Sequence, residues 1–148
     1  MDDLRQDGAE LQRLSALVDS WIETELSPSP VFLSVERPEP ARWRIRVRGE
    51  RREVITVWWW RRDYTLWSEA YFLPAPAENR ERLFEAVLRW NAQLYGVAFA
   101  IGEEDAIYLV GRCPWTALRE AELDRLFGCM YETIERYFDY ALVAAGYR

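Results

Sequence analysis

The chain has 148 residues, half of them hydrophobic and 30% charged, with a formal net charge of -6. This composition excludes a disordered chain and predicts one globular domain over residues 1–148, while apolar runs far shorter than ~20 residues exclude a membrane-spanning helix. The sequence contains neither histidine nor lysine, so a histidine base or metal ligand, a Schiff-base lysine and a P-loop lysine are all excluded. Because the acidic, polar N-terminus lacks the features of a secretory signal, we expect a cytoplasmic protein.

The first predicted element is an amphipathic helix over residues 9–26. Its apolar residues recur at helical spacing, with charged residues between them: Leu11, Leu14, Leu17, Val18, Trp21 and Ile22. The prolines of segment 27–30 end this helix, and a second proline pair within 37–40 predicts a loop. The intervening residues 31–35 are compatible with a strand or with a single helical turn.

The period of the pattern then changes from helical to two, which predicts three consecutive strands. Apolar and charged residues alternate in 42–48, and similar patterns follow in 52–61 and 64–73. Turns are predicted at 49–52, where Gly49 gives a permissive backbone, and at 62–63. The three strands should form an antiparallel meander.

The second half of the chain predicts a helix, two strands and a long final helix. The first of these helices starts at Glu78 and Asn79, and its apolar face is predicted to contain Leu83, Phe84, Val87, Leu88, Asn91 and Leu94. Strands 95–101 and 106–112 are joined by the polar turn 102–105, and the last helix runs from near Leu118 to Gly146. The order α-β-β-β-α-β-β-α predicts an α+β fold, with helices on one face of an antiparallel sheet.

Alternation divides the meander into two faces of different character. The face predicted to pack under the helices contains Trp43, Ile45, Val47, Ile55, Val57, Trp59, Leu66, Ala70 and Phe72. The opposite face contains Arg44, Arg46, Arg48, Thr56, Trp58, Trp60, Thr65, Trp67, Glu69 and Tyr71. Such aromatic and arginine content is unusual for the solvent side of an antiparallel sheet.

Two interpretations of this opposite face are open. Arginine stems and indole rings could pack on each other across strands, which would make the face self-sufficient. Alternatively, the face contacts a partner, because each large aromatic side chain can bury ~150–250 Å² at about 25 cal/mol per Å². That magnitude favours the contact surface, and the predicted partner-binding residues are Trp58, Trp60, Trp67, Tyr71, Arg44 and Arg46.

Other chemistries are weaker candidates. The arginines of 42–52 suggest nucleic acid, but the net acidity of the chain opposes attraction to phosphate. The carboxylates of turn 102–105 lack the ligand spacing of a calcium loop, and Cys113 and Cys129 fit no zinc pattern, so these thiols are expected to pack as small apolar groups. We therefore expect no metal, no cofactor, no nucleic acid and no membrane as partners, and no enzymatic activity.

The second half of the chain resembles the YbjN-domain proteins. The resemblance is carried by the helix start Pro76–Asn79, by residues 88–101 ("LRWNAQLYGVAFAI"), by 107–114 ("IYLVGRCP") and by 122–128 ("ELDRLFG"). That family is described as "putative bacterial sensory transduction regulator" proteins and has the fold of type III secretion chaperones. The resemblance implies a curled sheet with helices on one side, a homodimer, and binding of extended client segments through apolar patches. It offers no catalytic residues.

Together, the pattern and the resemblance predict a non-enzymatic protein-binding domain, chaperone-like or a regulatory adaptor. Its expected partners are a second copy of itself and a protein client or regulator. The alternative is a small-ligand sensor with a pocket between the sheet and the last helix, lined by Trp43, Trp59 and Phe99.

Overall fold

The computed structural model describes residues 2–147. The helices and strands are α1 (Asp2–Trp21), β1 (Phe32–Glu39), β2 (Arg42–Arg48), β3 (Val54–Arg62), β4 (Thr65–Leu73), α2 (Arg80–Asn91), β5 (Val97–Ile101), β6 (Ile107–Pro114) and α3 (Glu120–Ala145). The six strands form one antiparallel sheet in the order β1-β2-β3-β4-β6-β5. The predicted α+β class, with an antiparallel sheet and three helices, is therefore confirmed.

The sheet has one more strand than the sequence predicted. Strand β1 covers Phe32–Glu39, so the predicted loop at 37–40 is wrong for its first three residues. Proline lacks the N–H that a central strand needs, but Pro38 is tolerated here because β1 lies at the edge of the sheet. The Arg37 guanidinium stabilises the tight connection to β2 by donating a 3.0 Å hydrogen bond to the Pro40 carbonyl oxygen.

The first helix is also longer than predicted. It begins at Asp2 rather than at residue 9, and its C-terminal end widens into a π-helical turn, Ile22–Leu26. This wide turn still buries Ile22 and Leu26 against the core. The predicted apolar stripe is thus preserved where the helix changes its pitch.

The core lies between the helices and the inner face of the sheet. All nine residues predicted for that face are buried. In its centre the Trp59 ring lies 5.0 Å from that of Trp21 on α1 and 6.1 Å from that of Phe127 on α3. The Trp59 indole N–H donates a 2.9 Å hydrogen bond to the buried hydroxyl of Ser68. Rings from two helices therefore meet at a single strand residue.

Helix α2 presents a narrower apolar face than predicted. Leu83 and Val87 are buried, but Leu88 is 68% exposed, so its assignment to the buried face is wrong. Successive helical residues are about 100° apart, and the burial of Val87 turns Leu88 toward solvent. The helix ends at Asn91, before Leu94, and the Asn91 amide bonds both the N–H (2.7 Å) and the C=O (3.0 Å) of Phe99. This side chain occupies the middle of the open edge of β5.

Candidate functional site

The outer face of the sheet, opposite the helices, carries the aromatic surface that the sequence predicted. We call it the arginine–tryptophan face and define it by Arg42, Arg44, Arg46, Arg48, Trp58, Trp60, Arg62, Trp67 and Arg112. Strand alternation places these side chains on one side, because their neighbours along each strand are buried on the other. Cross-strand register then aligns Arg42, Trp60, Trp67 and Arg112 in one row across four strands.

The three tryptophans of this face are half-buried, whereas Trp59 between two of them is fully buried. Trp60 and Trp67 are direct partners across β3 and β4, and their ring centroids are 6.1 Å apart. Trp58 lies two residues further along β3, opposite Arg44 on one side and Glu69 on the other. The face thus contains a continuous strip of indole surface.

Arginine side chains cover much of that indole surface. The Arg42 guanidinium lies over the Trp58 ring at 4.7 Å and over the Trp60 ring at 5.6 Å. Arg62 lies over the Trp67 ring at 4.7 Å. Such contacts at exposed sites contribute about 0.5–1 kcal/mol each. Cross-strand self-packing is therefore present, as the first interpretation of the sequence expected, and it leaves the rings partly exposed.

The face is strongly positive in an acidic protein. Its six arginines share this side of the sheet with three glutamates, Glu36, Glu39 and Glu69, which gives a formal local charge of +3 in a chain of -6. Among the described residues, only Arg44 of these six forms an ion pair, with Glu36. Burial raises the pKa of Tyr71 and the pKa of Tyr108, so neither phenol adds a negative charge to this side at neutral pH.

The same surface is rich in donors that lack acceptors. Within the described part of the chain, the Trp67 indole N–H and the Arg44 Nε are buried without a hydrogen-bond partner. A buried donor left unpaired costs about 1–3 kcal/mol. The two donors are buried and so not directly accessible to a ligand. The arginine surplus of the face favours ligands that supply negatively charged oxygen.

A shallow groove of about 430 Å³ adjoins the strip on its β5 side. Trp67 and Arg112 line it together with Ala98 and Val110. The small side chain of Ala98 opposite Val110 leaves this part of the outer face lower than the tryptophan strip. The groove is therefore an apolar recess with an indole and a guanidinium at its wall.

The structure groups some of the predicted binding residues and separates others. Trp58, Trp60 and Trp67 lie together, and Arg44 contacts Trp58 at 5.8 Å. Arg46 is exposed on the same face and, among the described residues, contacts no aromatic ring. Tyr71 is 41% exposed, but its ring contacts are with Tyr108, at 5.5 Å, and with the Arg52 guanidinium, at 5.8 Å.

Four residues of the face were missing from the predicted site: Arg42, Arg48, Arg62 and Arg112. Alternation along the strand placed Arg48 on the outer face, but it was not among the predicted binding residues. Arg42 and Arg62 could have been found by continuing the period of two along β2 and β3. Arg112 could not, because its approach to Trp67 depends on β6 pairing with β4, which the sequence did not predict. More arginine side chains therefore contact the tryptophan strip than the sequence indicated.

The predicted ligand pocket is not supported. Trp43, Trp59 and Phe99 are between 0 and 5% exposed. Phe99 packs on Phe72 at 4.9 Å, and Trp59 packs on Trp21, so these rings fill the space between sheet and helices. Aromatic side chains of the helices, such as Trp21 on α1 and Tyr137 on α3, pack on these rings and occupy the space of the predicted pocket. The three residues therefore belong to the core.

Other candidate sites give no positive signal. In the part of the chain that the structure describes, no three acidic or cysteine side chains are grouped so that they could hold a metal ion. Cys113 is buried, as expected, and desolvation raises the pKa of its thiol, whereas Cys129 is half-buried. Over the same described residues, no helix combines the length and apolar character needed to cross a membrane.

Comparison of the fold with solved structures finds chains of a chaperone–effector complex and of a type III secretion system complex. The chain aligns with a chain of the HopA1–SchA chaperone–effector complex at a TM-score of 0.60 and 13% identity, covering 85% of this chain and 93% of that one. It also aligns with a chain of the heterodimeric ExoU–SpcU complex from the type III secretion system of Pseudomonas aeruginosa, at a TM-score of 0.55 and 15% identity, covering 82% and 95%. At this identity the similarity concerns the fold alone.

Sequence comparison identifies mycobacterial relatives. The Mycobacterium tuberculosis protein called uncharacterized protein Rv0487 is 34% identical over 104 residues, which are 70% of this chain and 56% of the relative. The Mycobacterium leprae protein called uncharacterized protein ML2442 is 30% identical over 86 residues, 58% of this chain and 46% of the relative. The chain thus spans about half the length of the curated relatives it matches.

Residues 32–142 match the YbjN family, described as "Putative bacterial sensory transduction regulator". The match includes the second-half motifs quoted above and extends over β1 to β4, so it contains the whole sheet and most of α3. The chain belongs to the YbjN family.

Proposed function

We propose that this protein is a non-enzymatic protein-binding domain, a chaperone-like or regulatory adaptor, and that the arginine–tryptophan face is its binding surface. The observation that carries the proposal is the half-buried strip of Trp58, Trp60 and Trp67 on the side of the sheet away from the helices. Tryptophan and arginine are the residues most enriched where protein interfaces gain their energy.

The balance of energies supports a partner for this strip. An indole side chain can bury ~150–250 Å², of which the smaller part is still exposed on each of the three rings. Completing their burial therefore gains on the order of a few kcal/mol in total at about 25 cal/mol per Å². The arginines above the rings recover only part of this, at about 0.5–1 kcal/mol per contact. The remaining free energy is available to a bound protein.

The comparisons support the same class of function. The two solved structures described above are a chaperone–effector complex and a heterodimeric complex of a type III secretion system. The binding partners in those complexes are partners of those proteins and are not assigned to this chain. For this chain the shared fold supports protein binding as the role. The proposal places this role in the cytoplasm and treats residues 1–148 as one domain.

The proposal includes a homodimer that forms through the helices rather than through the sheet. The exposed apolar side chains of the helical layer include Leu88 on α2 and Tyr140 and Val143 on α3, which are between 61 and 68% exposed. Two copies of the arginine–tryptophan face, in contrast, would bring like charges together. Self-association and client binding would then use different surfaces and could occur together.

The binding role is tested with a double variant, Trp58→Ala with Trp60→Ala. Extracts of the native cell are passed over the wild type, the double variant and an Arg82→Ala control, and bound proteins are identified by mass spectrometry after cross-linking. Proteins captured by the wild type and by the control should be lost from the double variant, provided circular dichroism shows that it is folded. An unchanged set of captured proteins contradicts the assignment of the face.

The dimer is tested separately by sedimentation velocity at micromolar concentration. We expect the wild type and the Trp58/Trp60 double variant to sediment as dimers. A Leu88→Glu variant should sediment as a monomer, because it places a charge in the helical contact. A monomeric wild type removes the dimer from the proposal and leaves the binding role intact.

A further inference from the structure

We infer that the arginine–tryptophan face recognises an acidic segment of another protein, in which Asp or Glu residues flank an apolar side chain. This inference rests on the proposed function and adds the chemistry of the partner. It starts from charge segregation: the face carries +3, and since the whole chain carries -6, all other residues together carry -9. An acidic partner is attracted to this one side of the molecule and repelled by the rest.

The arginines of the face are available for such a partner. In the described part of the chain, Arg46 is exposed without any ion pair or ring contact. Arg42 and Arg62 stack on indole rings and form no ion pair among the described residues, although Glu39 lies opposite Arg42 on β1. A guanidinium that stacks through its flat surface keeps the N–H donors at its edge, and these match a carboxylate in bidentate geometry. The stacked arginines are thus held over the strip while their donors remain unpaired.

The apolar part of the partner has a defined place. The groove of about 430 Å³ beside Trp67 is lined by Ala98, Val110 and Arg112. A leucine- or phenylalanine-sized side chain seated there would contact the Trp67 indole, and a carboxylate next to it in the partner would reach Arg112. This geometry joins the apolar and the acidic requirements in one short segment.

Nucleic acid fits the same face less well. Single-stranded nucleic acid binds by stacking its bases on aromatic rings, and here guanidinium groups already lie 4.7 Å from two of the indoles. Affinity for phosphate also depends on a positive field, whereas the remainder of this chain is strongly negative. A protein segment can pair its carboxylates with the stacked arginines without displacing them.

The experiment is a selection from a random peptide display library against the immobilised wild type. Peptides of about twelve residues are long enough, at ~3.3 Å per residue, to cross the sheet. We expect the enriched peptides to contain several Asp or Glu residues around an apolar one, and to lose binding to the folded Trp58/Trp60 double alanine variant. Enriched peptides that are neutral or basic, yet still depend on the two tryptophans, overturn this inference and retain the proposed function. Peptides that ignore the two tryptophans count against both.

Charge reversal provides the quantitative test. The enriched peptide is synthesised with a fluorophore, and its binding to Arg46→Glu and to Arg82→Glu is measured by anisotropy at low and high salt. Both variants change the net charge equally, but Arg82 is exposed on α2 of the helical layer. Arg46→Glu should weaken binding about tenfold and flatten its salt dependence, whereas Arg82→Glu should change affinity less than about twofold. Equal effects of the two variants, or tighter binding of a single-stranded oligonucleotide than of the peptide, overturn the inference.

Discussion

Trp59 and its two neighbours in sequence show what each side of the sheet does. Trp59 is 0% exposed, packs on rings from α1 and α3, and donates its indole N–H to Ser68. Trp58 and Trp60, one residue away in the same strand, point to the other side and contact arginines. Identical side chains thus meet hydrocarbon and aromatic rings on one face and guanidinium groups on the other.

This difference between the two faces of the sheet indicates that the inner tryptophan serves stability and the outer tryptophans serve binding. On the inner face the helices complete the burial of each ring, so its full transfer free energy stabilises the fold. On the outer face the covering groups are long, charged and partly solvated, and they can move aside or pair with another molecule. The inner tryptophan is therefore expected to be essential for folding, and the outer ones for association.

The largest expected effect is that of Trp59→Ala. Truncating a fully buried tryptophan should lower the free energy of unfolding by about 3–5 kcal/mol, because it leaves a cavity between three elements. Trp58→Ala should lower it by about 1 kcal/mol, since its ring is partly exposed and loses mainly its arginine contacts. Equilibrium urea unfolding of the two variants measures both. Similar losses in the two would show that Trp58 also stabilises the fold as a core residue.

A smaller effect is expected at Ser68, the hydrogen-bond partner of Trp59. Ser68→Ala leaves the Trp59 indole N–H buried without an acceptor and should cost about 1–3 kcal/mol in unfolding free energy. Thr56→Ala, on the outer face of the adjacent strand, serves as the matched control because its hydroxyl has no side-chain partner among the described residues.

Equilibrium urea unfolding also measures the Ser68 and Thr56 variants. For Thr56→Ala, on the outer face, we expect the free energy of unfolding to fall by less than about 0.5 kcal/mol. A Trp59→Phe/Ser68→Ala double variant should recover part of the Ser68 loss, since it removes donor and acceptor together. Additive losses in the double variant would indicate that the hydrogen bond contributes little.

Much of this two-sided arrangement could be predicted from the sequence, because pleating sends alternate residues to opposite faces whatever the tertiary context. That rule placed Trp59 in the core and Trp58, Trp60 and Trp67 outside it, as the structure shows. The order of the predicted elements also indicated the class of the fold, because helical segments that follow an antiparallel meander can cover one face of its sheet in few ways.

The features that depend on distant parts of the chain could not be predicted. Strand β1 contains Pro38, and only its position at the edge of the sheet, a property of the whole topology, allows it to pair. The approach of Arg112 to Trp67 likewise requires β6 to lie between β4 and β5. The sequence carries no local signal for either arrangement.

The smallest expected effect concerns the arginine cover itself. Arg42→Ala removes the guanidinium that lies over both Trp58 and Trp60, so it should lower the free energy of unfolding by only about 0.5–1 kcal/mol. It should also expose the two rings and remove a positive charge beside them. Quenching of tryptophan fluorescence by neutral acrylamide should therefore increase relative to the wild type, while the ratio of iodide to acrylamide quenching falls. Arg82→Ala makes the same change of charge on α2 and should alter neither quantity, so equal quenching in the two variants would mean that Arg42 does not shield the strip.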